Sequence, residues 1–245
     1  MNIFNAYLKI QLTIFLMLYS TMTVASDVAL MNVNGPVQPP YGANNNNGFE
    51  DLLIIEMFRR MGYKVNLQHL PAERGLVNLN QGIDDAIQSR IGGLEKKYPN
   101  IVMIPEPVYA RNYIAFTNRD DVRISGWSDF ENYNVALIRG WKIFEKNIKK
   151  YKSLKKVRGP EQLFKLLDAG RVDVVVYALD PGLWKINKLG LKNIRPIAPA
   201  LAKKDKYFYV HKRHKDVAPE AVKTLQNMKT DGTLETIKNK TLNIK

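Results

Sequence analysis

The chain has 245 residues, of which 45% are hydrophobic and 24% charged, a balance typical of a globular protein and not of a disordered one. It contains no cysteine, which excludes disulfides, thiolate metal sites, a cysteine nucleophile and the lipid-modified cysteine of a bacterial lipoprotein. Lysine and arginine outnumber aspartate and glutamate by 37 to 23, so the net charge is +14. A surplus of this size attracts anions, and either an anionic partner or a solvated basic surface has to account for it.

The first 25 residues have the pattern of a secretory signal peptide. They contain no acidic residue, and Lys9 is their only charged side chain. A mostly apolar run over residues 10–24 ends in small residues at Ala25 and Ser26. The run is short for a membrane span, which needs about 20 apolar residues, so we expect cleavage near Ala25 or Ser26. The mature chain is then soluble, without a lipid anchor, and resides in a bacterial periplasm.

The remaining chain alternates predicted strands with predicted helices. Apolar residues at helical spacing predict a first helix over 49–61, and an alternating strand at 63–69 follows. Further strands are expected at 101–104, 113–116, 134–138, 172–177, 193–198 and 207–211, and further helices at 76–81, from 142, from 160, at 181–188 and at 217–229. This alternation predicts an α/β architecture with largely parallel sheets.

The order of the elements predicts two lobes. Two alternating blocks are followed by a C-terminal piece that is too short to form a third. The simplest packing returns this piece to the first block, so that residues 26–117 and 206–245 form lobe 1 and residues 118–205 form lobe 2. Two lobes joined by two crossing segments enclose a cleft, and such clefts bind small ligands by hinge closure.

Several short motifs follow one another in a characteristic order. They are Gly48-Phe49-Glu50-Asp51-Leu52, Gly82-x-x-Asp85-Ala86, Pro107-x-Tyr109, Gly170-x-x-Asp173 and Met228-Lys229-x-Asp231-Gly232-Thr233. With these motifs the mature chain resembles the family 3 extracellular solute-binding proteins, which have the type II periplasmic binding fold and serve polar amino-acid uptake systems. The resemblance covers nearly the whole mature chain and implies two lobes, each a mostly parallel sheet flanked by helices.

The positions that bind an amino acid in that family differ in this chain. The family's carboxylate-binding Arg falls at Lys97, which keeps the charge but loses the planar fork that Arg90, seven residues earlier, could supply. The small hydroxyl residue at a helix start is replaced by Trp141, after Gly140, and the amine-binding Asp by Tyr177. The resemblance therefore implies a flat, aromatic or carboxylate-bearing solute instead of an ordinary α-amino acid.

Nine residues are candidates for ligand binding because they are charged, aromatic or flexible and lie near strand ends or helix starts: Tyr41, Glu73, Arg74, Arg90, Tyr109, Gly140, Trp141, Tyr177 and Asp180. Structural roles compete with this interpretation for several of them. Glu73 and Arg74 could form a surface ion pair, Tyr109 could belong to the core, and Asp180 could cap a helix begun by Pro181.

Other patterns carry less weight. The basic run at residues 146–158 has apolar residues at three-residue spacing, so we interpret it as a solvated face and expect no nucleic-acid partner. His69 alternates with apolar strand residues and is expected to be a satisfied core histidine. His211 and His214 lack the neighbours of a metal site, so we expect neither a metal nor a cofactor.

The sequence therefore predicts a monomeric periplasmic solute-binding protein that is not an enzyme. It would close its lobes on a small ligand and deliver it to the permease subunits of an ABC transporter or to a membrane sensor. One alternative is an orphan sensor or partner-binding module of the same fold. Another is a small-molecule dehydratase that uses Glu73 or Asp180 as a general acid with a raised pKa.

Overall fold

The structure is a computed structural model that describes residues 28–242, and the predicted signal peptide lies outside this range. The described residues contain the strands β1 (Leu30–Gly35), β2 (Lys64–His69), β3 (Ala86–Arg90), β4 (Ile101–Met103), β5 (Tyr109–Thr117), β6 (Asn134–Ile138), β7 (Ser153–Val157), β8 (Val174–Ala178) and β9 (Arg195–His211). Their α-helices are α1 (Phe49–Arg60), α2 (Ala72–Gln81), α3 (Lys142–Asn147), α4 (Pro160–Asp168), α5 (Leu179–Lys188), α6 (Ala218–Thr230) and α7 (Thr233–Leu242). Within residues 28–242, no helix has the length and apolar character that a membrane span requires.

The strands form two parallel groups of the same design, joined by a long crossing strand. In one group β1 lies between β2 and β3, and in the other β6 lies between β7 and β8. β9 pairs antiparallel with β5 through residues 195–206 and with β3 and β4 through residues 207–211. The strands predicted at 193–198 and 207–211 are thus parts of one strand. The polar residues between them face outward or into the cleft while their backbone pairs with β5.

The two Gly-x-x-Asp motifs lie at equivalent positions in the two groups of strands and make the same kind of hydrogen bond. Gly82 and Gly170 each follow a helix with positive φ, 73° and 62°, a conformation that glycine adopts without strain. Asp85 Oδ2 accepts a hydrogen bond of 2.8 Å from the backbone N–H of Asn32. Asp173 Oδ2 accepts an equal bond of 2.8 Å from the backbone N–H of Asn134. Each carboxylate therefore ties the start of its own strand to the central strand of its group.

The buried side chains separate into clusters on either side of the crossing strands. Lobe 1 packs α1, α6 and α7 around residues such as Phe49, Leu53 and Phe208. Lobe 2 has clusters on both faces of its sheet, centred on residues such as Phe144 and Phe164. This is the predicted two-lobed α/β fold. The exact boundaries, after residues 117 and 205, stay predictions; they fall at the end of β5 and within β9.

Three local predictions need correction. Helix α2 begins at Ala72, four residues before the predicted start, because its first turn is exposed and lacks the apolar periodicity on which the prediction relied. The basic run at 146–158, for which no strand was predicted, contains β7, which pairs with β6 along its full length, whereas its basic side chains are exposed as predicted. Helix α5 begins at Leu179, so Asp180 lies inside it and does not cap it.

Candidate functional site

A cleft of about 1320 Å³ lies between the lobes, along the crossing strands. It exceeds the roughly 300–1,000 Å³ common for small-molecule sites, which leaves room for a ligand and water. Its aromatic lining comes from Tyr113, Trp141, Tyr177, Trp184 and Tyr207. Its charged lining consists of Arg90, Arg111, Lys142, Lys146, Arg158, Lys185, Lys204, Asp205 and Lys206, which is eight cations and one carboxylate among the described residues. The cleft is therefore strongly positive.

Trp141 and Tyr177, both candidates for ligand binding, line the cleft on the lobe 2 side. The Trp141 ring stacks on Tyr177, with ring centroids 4.6 Å apart, and on Phe144, with centroids 5.7 Å apart. Gly140, just before it, also lines the cleft, at the turn that leads from β6 into α3. Because Tyr177 is buried, its pKa is raised and its hydroxyl stays protonated at neutral pH. The stack holds the indole in a fixed orientation at the cleft surface.

Arg90, another candidate for ligand binding, is the last residue of β3 and lines the cleft on the lobe 1 side. Its Nη1 donates to the backbone carbonyls of Ser89, at 3.0 Å, and Gln88, at 3.4 Å. Its Nε and Nη2 are inaccessible to solvent and have no hydrogen-bond partner. Burial lowers the pKa of this guanidinium to about 10, although it remains charged at neutral pH. Arg90 is thus a cation with unused donors.

Arg111 is a cleft residue that the sequence analysis did not identify. Its Nη1 donates to Gln38 Oε1 at 2.8 Å, and its Nη2 lies 2.7 Å from the Tyr109 hydroxyl and 3.2 Å from Glu50 Oε1. Tyr109 also donates to Glu50, which is buried in the first turn of α1. The arginine, the tyrosine and the carboxylate therefore form one buried network at the point where β5 leaves lobe 1.

Lys206 is a second cleft residue that the sequence analysis missed. It pairs with Tyr109 across the β5–β9 ladder and is only 8% exposed. Burial, the charge of Arg111 and the charge of Arg90 lower its pKa to about 7, against the opposite influence of Glu50. Among the described residues, its ammonium group makes no hydrogen bond and no ion pair. The amine consequently changes its protonation near neutral pH.

Tyr41 and Asp180 join the two lobes. The Tyr41 ring stacks on Tyr109, with centroids 4.8 Å apart, and the Arg111 guanidinium lies 4.5 Å from its centroid. Its hydroxyl donates to Asp180 Oδ2 in helix α5. Burial and the nearby Asp180 charge raise the pKa of Tyr41, so the hydroxyl remains a donor. Asp180 thus acts as an acceptor between the lobes and does not line the cleft.

Replacing Tyr41 by phenylalanine is expected to increase the average separation of the two lobes in the ligand-free protein. The variant keeps the stack on Tyr109 but loses the hydrogen bond to Asp180 that spans the cleft. The measurement is the radius of gyration by small-angle X-ray scattering, which should exceed that of the unchanged protein. Tyr63→Phe is the matched control, because Tyr63 packs within lobe 1. An equal radius for both variants would show that the hydrogen bond does not hold the lobes together.

Glu73 and Arg74 lie in the exposed first turn of α2 and are not among the residues that line the cleft. Glu73 Oε1 is 2.7 Å from Lys97 Nζ and accepts a hydrogen bond of 2.7 Å from the Tyr98 hydroxyl. These two bonds lower the pKa of Glu73, the opposite of what a general acid requires. Lys97, which stands at the position of the family's carboxylate-binding Arg, therefore forms a surface ion pair with Glu73.

None of the three histidines is among the residues that line the cleft. His69 Nδ1 lies 3.3 Å from the Gly35 carbonyl, but its Nε2 has no hydrogen-bond partner, so the expected full satisfaction is wrong. His214 Nε2 lies 2.6 Å from Asp85 Oδ1, which Arg213 also contacts. Within residues 28–242, no group of three potential metal ligands lies close enough together to hold an ion.

The comparisons with known proteins agree in the kind of fold. No protein-family model matches the chain. It is 28% identical over 196 residues to an uncharacterized protein of Shewanella oneidensis, which covers 77% of this chain and 74% of that protein. It is 23% identical over 206 residues to the L-cystine-binding protein TcyA of Bacillus subtilis, with coverage of 79% and 71%.

Three solved structures superpose along nearly their whole length. The probable amino-acid ABC transporter extracellular-binding protein ytmK of Bacillus subtilis has a TM-score of 0.74 and 19% identity, with 88% of this chain and 99% of that chain covered. A histidine kinase sensor domain similar to periplasmic binding proteins has a TM-score of 0.71 and 24% identity, covering 89% and 98%. An ancestral arginine-binding protein bound to arginine has a TM-score of 0.69 and 20% identity, covering 88% and 99%. The chain therefore has the two-lobed fold of the type II periplasmic binding proteins, as its motifs indicate.

Proposed function

We propose that this chain is a periplasmic solute-binding protein that captures a small carboxylate-bearing ligand by closing its two lobes. The observation that carries the proposal is the charge of the cleft, whose described lining has eight cations against the single carboxylate of Asp205. Such a cleft attracts anions and repels cations. Binding removes water from these charged side chains, which costs free energy. Only a ligand of opposite charge offsets that cost.

The aromatic lining supports a ligand that also has a flat or apolar part. Tyr113, Trp141 and Trp184 contribute large apolar surfaces beside the cations. Aromatic side chains of this kind contribute most of the contact energy in many binding sites. A carboxylate on an aromatic or aliphatic body would use both features of the cleft.

An ordinary α-amino acid fits this site poorly. Its ammonium group needs a carboxylate, yet Tyr177 occupies the position of the family's aspartate and Asp180 is engaged by Tyr41. Asp205, the one carboxylate of the described lining, is flanked in the chain by Lys204 and Lys206, whose charges repel an ammonium group. The position of the family's arginine, Lys97, is paired with Glu73 outside the cleft lining. These features support a ligand that has a negative charge and lacks an ammonium group.

The captured ligand has two candidate destinations, a membrane permease and a sensor. Delivery to the permease subunits of an ABC transporter follows the pattern of the ytmK protein, which shares this fold. Presentation to a sensor follows the histidine kinase sensor domain, which shares the fold equally well. Neighbouring genes for permease subunits would favour transport, and a growth defect on the identified ligand in a deletion strain would establish it.

A thermal-shift screen of the purified protein tests capture. The panel contains dicarboxylates, aromatic acids, amino acids and oligopeptides, each with its neutral amide where one exists. We expect a concentration-dependent rise in melting temperature with one or more acids and none with the amides, because a ligand stabilises only the folded form. A protein that responds to no acid in the panel would contradict the proposal.

Two variants locate the captured ligand. Trp141→Ala removes part of the cleft wall and should weaken binding by roughly tenfold or more, as truncation of a central aromatic residue does in other interfaces. Lys97→Met removes a cation that lies outside the cleft lining, so the affinity should stay the same. Equal losses in both variants would mean that the ligand does not occupy the cleft.

A further inference from the structure

A small inner cavity of about 140 Å³ opens off the main cleft at the lobe 1 end of the crossing strands. It shares Arg90, Arg111 and Lys206 with the cleft, and Tyr41 and Glu50 also line it. Its volume is a few times the roughly 30 Å³ that one water molecule occupies in the liquid, so it accommodates a group of a few heavy atoms. The cavity is a side pocket for one end of a ligand in the cleft.

The charges around the inner cavity do not balance. Three cations face one carboxylate, and Glu50 is already engaged by Tyr109 and Arg111. Arg90 keeps two buried N–H groups without an acceptor. The Lys206 side chain, which lines the same cavity and is 8% exposed, makes no ion pair among the described residues. Buried donors without acceptors cost free energy and are rare in proteins. These donors indicate that the acceptor comes from outside the chain.

The geometry of Arg90 specifies the kind of acceptor. Its two unpartnered nitrogens, Nε and Nη2, lie on one edge of the guanidinium, and their parallel N–H bonds match the two oxygens of a carboxylate. We propose that the inner cavity is the carboxylate subsite of the ligand, with both oxygens bound by Arg90, whose enclosed Nε–Nη2 edge turns towards the cavity on binding, and one of them also by Lys206. This inference rests on the proposed capture of an anionic solute and specifies where its charged group is held.

Arg111 has a different role in this subsite. Its Nη1 and Nη2 are occupied by Gln38, Tyr109 and Glu50, and its Nε alone is buried without a partner. Arg111 therefore supplies positive charge but offers no two-nitrogen edge to a carboxylate. The body of the ligand then extends from the inner cavity towards the aromatic wall at Trp141. The subsite lies where this chain departs from the family's pattern, since Lys97 cannot hold the carboxylate while it pairs with Glu73.

The subsite couples binding to proton uptake at Lys206. The charged and titratable groups that face this amine are Arg111 and Tyr109 from β5, Glu50 from α1 and Arg90 from β3. The net positive surroundings and burial lower its pKa to about 7, and a bound carboxylate raises that pKa again. Above pH 7 the complex therefore binds a proton that the free protein lacks. Affinity should fall by up to about tenfold for each unit of pH above 7, since one proton is involved.

Acetate and acetamide are the probes that test the subsite, because they have the same shape and differ in charge. The purified protein is titrated with each over the millimolar range, at an ionic strength held constant with sodium chloride, and the melting temperature is recorded. We expect stabilisation by acetate and none by acetamide. Arg90→Gln and Lys206→Met should each abolish the acetate response. Arg139→Gln, the matched control, removes an exposed arginine that lines neither the main cleft nor the inner cavity and should retain it.

The remaining outcomes separate this inference from the proposed function. If an acid from the solute panel binds, and binds equally well to Arg90→Gln and Lys206→Met, the subsite is wrong while capture stands. If no acid from the panel binds but acetate responds as described, capture of those solutes fails while the subsite stands. Equal responses to acetate and acetamide overturn the subsite, and this comparison needs no variant to fold. Calorimetry in buffers of different ionisation enthalpy should show proton uptake above pH 7 that Lys206→Met loses.

Discussion

Replacing Arg111 by methionine is expected to lower the free energy of unfolding by about 3–5 kcal/mol, the usual cost of removing one partner from a buried ion pair. Arg111 is 6% exposed and Glu50 is 3% exposed, and their closest atoms lie 3.2 Å apart. Without the guanidinium, the Glu50 carboxylate remains buried with only the Tyr109 hydroxyl as a donor, and Gln38 loses its partner. Urea unfolding at neutral pH measures the change through the midpoint of the transition.

A second variant separates the loss of charge balance from the loss of packing. The double variant Glu50→Gln with Arg111→Met removes both charges, so it should recover much of the stability that the single variant loses. Lys204→Met is the matched control, because Lys204 pairs with Arg111 across the ladder but is exposed. If the single variant unfolds at the same urea concentration as the unchanged protein, the buried network does not stabilise the junction.

Replacing Lys206 by methionine is expected to stabilise the ligand-free protein, and by a pH-dependent amount. In the folded protein the pKa of Lys206 is about 7, whereas an unfolded lysine has a pKa of about 10.4. The cost of burying its charge is fully present below pH 7, and it falls as pH rises towards the unfolded pKa. At about 1.4 kcal/mol per pH unit, the difference of about 3.4 units makes the gain from the variant about 5 kcal/mol below pH 7.

Urea unfolding at about pH 6 and about pH 9 measures this dependence. The unchanged protein should gain stability over this interval relative to the variant, so the difference between them narrows. Lys203→Met, an exposed position on the same strand, should show no such trend. A difference that stays constant with pH would mean that Lys206 is charged throughout. A variant that is more stable yet loses the acetate response would show that the residue is retained for binding at a cost in stability.

The sequence predicted the secondary structure best where local patterns decide it. The helix at 49–61 and the strand at 134–138 agree with α1 and β6, because apolar spacing and helix-end residues are local signals. The prediction from sequence failed where the secondary structure depends on pairing with residues that are far away in the chain. β9 continues through four polar residues, Lys203, Lys204, Asp205 and Lys206, because residues 109–112 of β5 pair with all four of them in register.

The candidate site was predicted in part, for a related reason. Arg90 and Tyr177 lie at the C-terminal ends of β3 and β8, and Gly140 and Trp141 lie at the turn before a helix. The cleft of this fold lies at such ends, so their neighbours in sequence were informative. Arg111 and Lys206 lie within strands. A charged residue among apolar neighbours was the available signal for Arg111, but that pattern is equally typical of a residue that faces solvent.

By itself, the sequence determined the α/β class and the order of two similar lobes. The tertiary structure alone decided which charges are buried together. Arg111 contacts Glu50 across 61 positions of the chain, and Tyr41 contacts Asp180 across 139. Whether a lysine or an arginine is solvated or held in a cleft depends on which strands lie beside it, and that pairing is set by the packing of both lobes around the crossing strands.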